Sequence, residues 1–369
     1  MKIKGPPIVP RPLSGRVSLT RLVDEFMPAY NGARLREACQ LLTGKILKPR
    51  VTVGLALSGA LTPAGLGTSV LAPLIGAGFV DYIVSTGANI YHDLHYSLGL
   101  KLHQSRPAAD DTELRERKLV RIYDIVFDQE VLFATDRECK RMLASGAPAG
   151  RISSAELHYH LGARAAAAEK RNGRAHPGLL SAAWRAGVPV YTSSPGDSTI
   201  GMNLAALALE EGPDSVPLVD VTADVNETAA IVYAATRGRK KSAVLILGGG
   251  SPKNFLLQTE PHIQEILGLP GRGHDYFIQV TDARPDSGGL SGATPSEAVS
   301  WGKVDPRCLP DAVVCYADTT LALPVLAAYC LAKARRRPKR RLFEKRATLL
   351  KQLHEAHARA EAQGGQGAH

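Results

Sequence analysis

The chain has 369 residues, of which 44% are hydrophobic and 22% charged, with a formal net charge of +10. That is ordinary globular composition with length for a large core, so one large α/β domain or two smaller ones fit, and a coreless chain is excluded. The charge is uneven: residues 331–369 carry eleven Lys/Arg against Glu344, Glu355 and Glu361, a surplus of +8 that leaves +2 on the body.

A basic tail of this kind can touch nucleic acid or anionic lipid. The simpler expectation is a solvated helix running into a loose GGQGAH end, with no nucleic-acid partner. The five cysteines are scattered, odd in number and without a CxxC pair, so no disulfide framework is expected and a reducing cytoplasm fits. The opening MKIKGPPIVPRP has no apolar core of a signal peptide.

Residues 1–16 are Pro-rich and extended. Leu19–Met27 and Ala33–Leu42 read as amphipathic helices, with Gly44 a plausible stop. VTVGLALS (51–58) is β-branched and apolar, a buried strand. The run from Thr52 to Val80 carries no charge and is long enough to span a bilayer. Pro63, Pro73 and its glycines, and its change of character, instead predict strand, turn and a helix from about Gly67 to Gly76, with no membrane span. VDYIVST (80–86) is a second strand, followed by a loop and helix in GANIYHDLHYSLG.

Residues 104–176 are more charged and more helical, with one extended piece near Val120–Val126, and read as a helical excursion or lid. VPVYTSS (188–194) returns as a strand. SVPLVDV, SAVLILGGG, DYFIQVT and DAVVCYAD are four further buried strands. Alternating strands and helices imply a parallel sheet. The predicted fold is therefore α/β: a Rossmann-like, doubly wound, mainly parallel sheet with flanking helices and helical N- and C-terminal extensions. The expected division is an N-terminal segment of residues 1–50, a main domain of 51–333 and a basic helical tail of 334–369.

In such a sheet the ligand crevice lies beyond the carboxyl ends of the strands. Small and polar residues gather there: Gly59 after the first strand, Ser85 and Thr86 after the second, Ser194 and Asp197 after VPVYTSS, then Gly248–Gly250, Asp282 and Asp318. Glycines let a backbone approach a pyrophosphate, so a nucleotide-sized ligand is expected. The full G-x-G-x-x-G fingerprint is absent, and a bare triple glycine is explained as well by turn chemistry. His92, Asp93 and His95 sit one helical turn apart, and His158 and His160 form another pair. Neither has a third ligand at metal-binding spacing, so no metal is expected.

The segment Gly288–Lys303, GGLSGATPSEAVSWGK, holds Ser291 and then a short helix that Thr294 or Ser296 can cap, with Pro295 in its first turn. Glu297 and Trp301 are four apart and share a face, with Lys303 near the helix end. A carboxylate, an indole and an amine meet in one small volume. An amine with a lowered pKa is a nucleophile able to form imines, whereas a surface helix with a core Trp and a solvated Lys is the plain alternative.

EAVSWGK, the earlier LGGG, the later YAD and their spacing resemble the deoxyhypusine synthase family over roughly Val51–Lys333, making 51–333 an NAD-binding domain. The resemblance implies an NAD-dependent transfer of a 4-aminobutyl group from spermidine or a related polyamine to an acceptor amine through a lysine imine. By motif match Lys303 is the imine-forming lysine, Trp301 the aromatic wall and Glu297 an acidic anchor. Gly248, Gly249, Gly250 and Asp318 belong to the NAD site. Asp197 matches the aspartate of the family's D-G-S-L-G. With Gly59, Ser85, Thr86, Asp282 and Ser291 these make up the expected cofactor set.

Four positions depart from the family pattern: Met202, beside Asn203, and Leu290 stand where acids are usual, Asn254 replaces a His as in plant-type homospermidine synthases, and His92 replaces a Glu. Asn254, His92 and Asp197 join Glu297 and Trp301 as candidate substrate residues. The departures favour a small diamine acceptor and a homospermidine-type product. A translation-factor lysine as acceptor, or a non-catalytic NAD-binding oligomer, are the alternatives. The family further implies a homotetramer with shared active sites.

Overall fold

Six short apolar runs build the sheet: β1 (Val51–Leu57), β2 (Tyr82–Ser85), β3 (Val190–Thr192), β4 (Lys241–Leu247), β5 (Tyr276–Thr281) and β6 (Ala312–Tyr316). The computed structural model describes residues 5, 7–148 and 150–363. All neighbouring strands are parallel, in the order β3-β2-β1-β4-β5-β6. This is the doubly wound order, and its direction reverses between β1 and β4, which pair from Val51↔Lys241 to Leu57↔Leu247.

Every residue of β1 is buried. Alternate side chains enter opposite cores, because successive Cβ atoms in a strand point to opposite faces. Val53, Leu55, Leu57, Leu245 and Ile278 pack into one core, and Ala56, Tyr82, Val84, Ile246 and Phe277 into the other. A parallel sheet buried on both faces needs near-continuous apolar strands, and these runs supply them.

The expected strand–turn–helix reading of the uncharged run holds: β1 is followed by a π-helical turn at Gly67–Leu71 and a helix at Ala72–Gly76. No helix among the described residues is long and apolar enough to cross a membrane. The excursion is more than helical. It contains a three-stranded antiparallel sheet of His103–Gln104, Leu119–Ile122 and Ile125–Asp128 beside the helices Gln129–Ala144 and Ser154–Arg171. Two buried carboxylates then seat the helix Leu179–Ala186 below β3: Asp93 accepts from the amides of Leu179 (2.8 Å) and Leu180 (3.1 Å), and Glu169 from that of Gly178 (2.7 Å).

Two expectations are corrected. SVPLVDV is not a strand of the main sheet. Its Pro217–Val219 pairs with Gly150–Ile152 in a separate two-stranded sheet and leaves Leu218 exposed. The basic tail is not a free solvated helix. Its helix, Leu342–Ala362, packs against the helix Val221–Ala235, burying Leu342, Leu353 and Ala356 in the second core. Phe343 stacks on Tyr159 with ring centroids 3.5 Å apart. Ahead of that helix, Arg337 is buried at the amino ends of β1 and β2. It meets Asp81 at 2.6 Å and donates to the carbonyls of Gly78 (2.8 Å) and Val51 (3.1 Å). The same Asp81 oxygen accepts from the Val53 amide at 2.8 Å.

Candidate active site

The turn after β1 meets the glycines after β4 at the point where the strand order reverses. Ser58 Oγ accepts from the Gly249 amide at 3.1 Å and donates to the Gly249 carbonyl. Ser291 arrives from the loop after β5, and its Oγ accepts from the Gly250 amide at 2.9 Å. A Cβ on Gly249 would sit 2.4 Å from Ser291 Cα, a distance no side chain tolerates, so this position is glycine for steric reasons. Gly250 starts the helix Gly250–Leu257. The crevice of about 210 Å³ so formed is lined by Gly59, Thr86, Asp197, Gly249, Gly250 and Ser291, among other small and hydroxyl-bearing residues. Hydroxyls and a helix amino terminus around closely packed glycines, where no side chain obstructs the backbone, fit the pyrophosphate and ribose of a dinucleotide.

Other expected cofactor residues lie around this crevice rather than in its lining. Ser85 is the fully buried last residue of β2 and donates to the Thr86 carbonyl at 3.1 Å. Gly248 stands behind the crevice with φ 86°, against Ser58. Asp282 is exposed after β5. Asp318 is exposed after β6 and caps the helix Thr319–Lys333, accepting from the Thr320 amide at 2.8 Å.

On the other side of the helix Gly250–Leu257 lies a second cavity, of about 290 Å³. One of its walls is the helix Pro295–Ser300, capped by Thr294 Oγ1, which accepts from the Glu297 amide at 3.2 Å. Gly302 then turns with φ 65°, and the carbonyl of Lys303 accepts from the amide of the buried His274 at 2.9 Å. The backbone of Lys303 is thereby fixed, and its half-buried Nζ lies 3.3 Å from Asn254 Oδ1 and 5.4 Å from the centre of the Trp301 ring. Trp301 is 58% exposed, so it is a wall of the site and not a core residue. Leu257, Phe277, Leu290 and Trp301 make the cavity largely apolar, and Glu297 is the one carboxylate in its lining. Burial lowers the Lys303 pKa below the ordinary lysine value, while Glu297 and Glu265 pull it back up.

The sequence reading missed Lys253, whose side chain separates the two cavities. It is 3% exposed, and its Nζ donates to Ala293 O (2.6 Å), Gln279 Oε1 (3.0 Å) and Ser291 O (3.4 Å). Burial pushes its pKa down to about 8, with Glu297 opposing and Lys303 adding to the shift. The available signal was its place in the first turn after the glycines.

His92 is not brought to this cavity. Its Nδ1 lies 2.9 Å from His95 Nε2, and His95 Nδ1 lies 2.7 Å from Thr135 Oγ1. Burial lowers the pKa of His92 and pushes that of His95 down to about 3. Met202 is 65% exposed, and the neighbouring Asn203 donates to Asp136 at 2.9 Å. His158 and His160 point apart, to the carbonyls of Val190 and Met142. Among the described residues no three metal-binding side chains converge. Within one chain, therefore, Asn254, Leu290, Glu297, Trp301 and Lys303 share the amine cavity, and Asp197 lines the glycine crevice.

A family model for deoxyhypusine synthase matches residues 21–330. The "Deoxyhypusine synthase-like protein" of Thermosynechococcus vestitus is 57% identical over 360 residues, covering 97% of this chain and 89% of that protein. The protein of that name from Nostoc punctiforme is 54% identical over 359 residues, 97% of this chain and 91% of its own. "Probable deoxyhypusine synthase 2" of Methanosarcina acetivorans is 37% identical over 322 residues, 87% of this chain and 88% of that one. A crystal structure from Entamoeba histolytica, assigned as a deoxyhypusine synthase, superposes with a TM-score of 0.56 at 14% identity over 88% of this chain and 97% of that one. At that identity it bears on the fold alone.

Proposed function

The chain belongs to the deoxyhypusine synthase family, a family of transferases, and from that premise we propose that it transfers a 4-aminobutyl group, with NAD as cofactor, from a polyamine to a small diamine. The observation that carries this reading is the half-buried Lys303 amine of lowered pKa, held at Asn254 and Trp301 one helix away from a glycine crevice.

Bound NAD would supply the chemistry of taking a hydride from the donor's amine carbon and later returning one, so that the transfer is redox-neutral overall. Thr86, Asp197, Gly249, Gly250 and Ser291 would hold it. Lys303 in its neutral form attacks the carbon of the donor imine. The bond from that carbon to the leaving amine breaks, the amine departs with a proton, and the aminobutyl carbon stays on Lys303 as an imine. The acceptor amine then displaces Lys303, which is regenerated. Asn254 Oδ1 accepts a hydrogen from Nζ and so aims the amine. Glu297 anchors the distal ammonium of the aminobutyl group, and the Trp301 face attracts the same charge. Transfer therefore rises with pH as Lys303 loses its proton, and its midpoint lies below that of an ordinary lysine.

The small acceptor is favoured by charge. A cavity with one carboxylate, and with Leu290 in its wall, lacks further anchors worth about 1–3 kcal/mol each as charge-assisted bonds. The names of the relatives favour a second reading, in which the acceptor is a lysine of a protein. Trp301, Leu290 and Met202 are exposed apolar residues, which suits an oligomer of at least two copies with sites completed at the interface. Five free thiols suit a reducing, cytoplasmic setting.

The test is incubation of purified protein with NAD and a panel of amines, with products identified by mass spectrometry. A new triamine together with a released small amine is the expected result. Borohydride with labelled donor should mark Lys303, and Lys303→Arg, which stays protonated, should bind NAD yet give neither product nor label. Transfer by Lys303→Arg at the parental rate would overturn the covalent route. NAD binding with no amine released from any donor would leave a non-catalytic NAD-binding protein.

A further inference from the structure

Among the described residues Lys253 is the one buried lysine, and no carboxylate pairs with it. Its acceptors are two carbonyls and an amide oxygen. A cation is not kept in such a place for stability, because its desolvation is not offset by an opposite charge. Two of the acceptors, Ser291 O and Ala293 O, belong to the loop that leads into the helix before Lys303. The third, Gln279, uses its own Nε2 to hold Ser291 O (2.8 Å) and Gly248 O (2.9 Å). Ser291 Oγ in turn holds the Gly250 amide at 2.9 Å. One ammonium thus ties the amine cavity, the glycine turn and the connecting loop together.

We propose that Lys253 is a positioning residue for Lys303: by holding Gln279 and the carbonyls of Ser291 and Ala293 it sets the loop that carries Ser291 and leads into the helix before Lys303. This rests on the reading of Lys303 as the imine-forming lysine. The two amines face one cavity, where the Lys303 charge adds to the lowering at Lys253, while the lowering at Lys303 itself comes from burial. Glu297 and Glu265 face Lys303 with the opposite effect. The loop contacts are exacting: three acceptors around one tetrahedral ammonium are not matched by a planar guanidinium.

Competitive acetylation of the intact protein with acetic anhydride, from neutral to alkaline pH, reads both lysines without any amine substrate. The lysine-containing peptides are quantified by mass spectrometry. In the parent protein Lys253 should resist acetylation and Lys303 should titrate below the surface lysines. In Lys253→Met the loop loses its three contacts, the Lys303 amine gains solvent, and its titration should rise toward that of the surface lysines. NAD binding should weaken in the same variant. Lys253→Arg, which keeps the charge but not the fit, should show the same rise in the Lys303 titration and the same loss of NAD affinity, which separates fit from charge. Identical Lys303 titrations in the parent and a folded Lys253→Met would overturn the proposal, as would parental Lys253 acetylating like a surface lysine. If Lys253→Met fails to fold, the parental and Lys253→Arg measurements decide. Failure of the amine panel leaves these readings intact, so the two hypotheses fail separately.

Discussion

At the amino ends of β1 and β2 a buried guanidinium, Arg337, meets the buried carboxylate of Asp81 at 2.6 Å and fills its remaining donors with carbonyls of Gly78 and Val51. At the carboxyl end of β4 a buried ammonium, Lys253, has carbonyls and an amide for partners and another amine facing the same cavity. The first cation meets an opposite charge and donates to fixed backbone, so it serves as a fastening. The second is held without a counter-charge and faces the same cavity as Lys303. One cation fastens strands to the chain beyond them, and the other fastens a loop between two cavities.

The comparison breaks most visibly at Gly249. Gly249→Val puts a side chain where Ser291 Cα already lies 2.4 Å from an added Cβ, and calorimetry should find no NAD binding. Parental affinity in that variant would move the cofactor to another part of the molecule. At the opposite end, Arg337→Met strands the charge of Asp81 and should lower stability by about 3–5 kcal/mol in urea unfolding. Adding Asp81→Asn should recover much of that loss, since the amide oxygen can still accept from Val53 and no buried charge remains unpaired. A double variant no more stable than Arg337→Met would show that the pair itself is not the fastening. Arg340 sharpens the contrast. It is partly exposed, 3.3 Å from Asp81, and shares the Val51 carbonyl, so Arg340→Met should cost only about 1 kcal/mol in the same assay. An effect as large as that of Arg337→Met would make Arg340 the principal partner.

What could be read in the sequence followed local pattern. The apolar runs of β1, β2, β4, β5 and β6 announced themselves because a strand buried on both faces needs continuous apolar residues. The cap, the shared face of Glu297 and Trp301, and the position of Lys303 follow from helix spacing within sixteen residues. What was illegible depends on partners far away in sequence. Arg337 and Asp81 are 256 residues apart, so a run of basic residues read as a solvated tail. Deletion after Lys333 therefore removes Arg337 and the buried faces of Leu342 and Leu353. Lys253 looked like any polar residue near a helix start, because burial is decided by a loop that arrives some 40 residues later. SVPLVDV had the right composition for the main sheet, but it pairs with Gly150–Ile152 and so leaves the sheet. His92 and His95 were legible as a pair, but their partner Thr135 lies in the excursion.

The fastening at Arg337 also has a consequence for the order in which the molecule comes into being. β1 is among the first strands to be synthesised, yet it lies between β2 and β4, and its register with β4 joins Val51 to Lys241. The carboxylate that closes its lower edge waits for an arginine near the far end of the chain. Long-range closures of this kind make folding slow and late. A nascent chain still lacking residue 337 would contain all six strands but leave the acid at the base of β1 and β2 without its buried arginine. Ribosome-bound chains arrested before that residue should therefore be cut by protease within β1 and β2, and chains extended through the helix Leu342–Ala362 should resist. The segment from Arg337 through the helix Leu342–Ala362 is in this sense a latch on strands made far earlier in the chain.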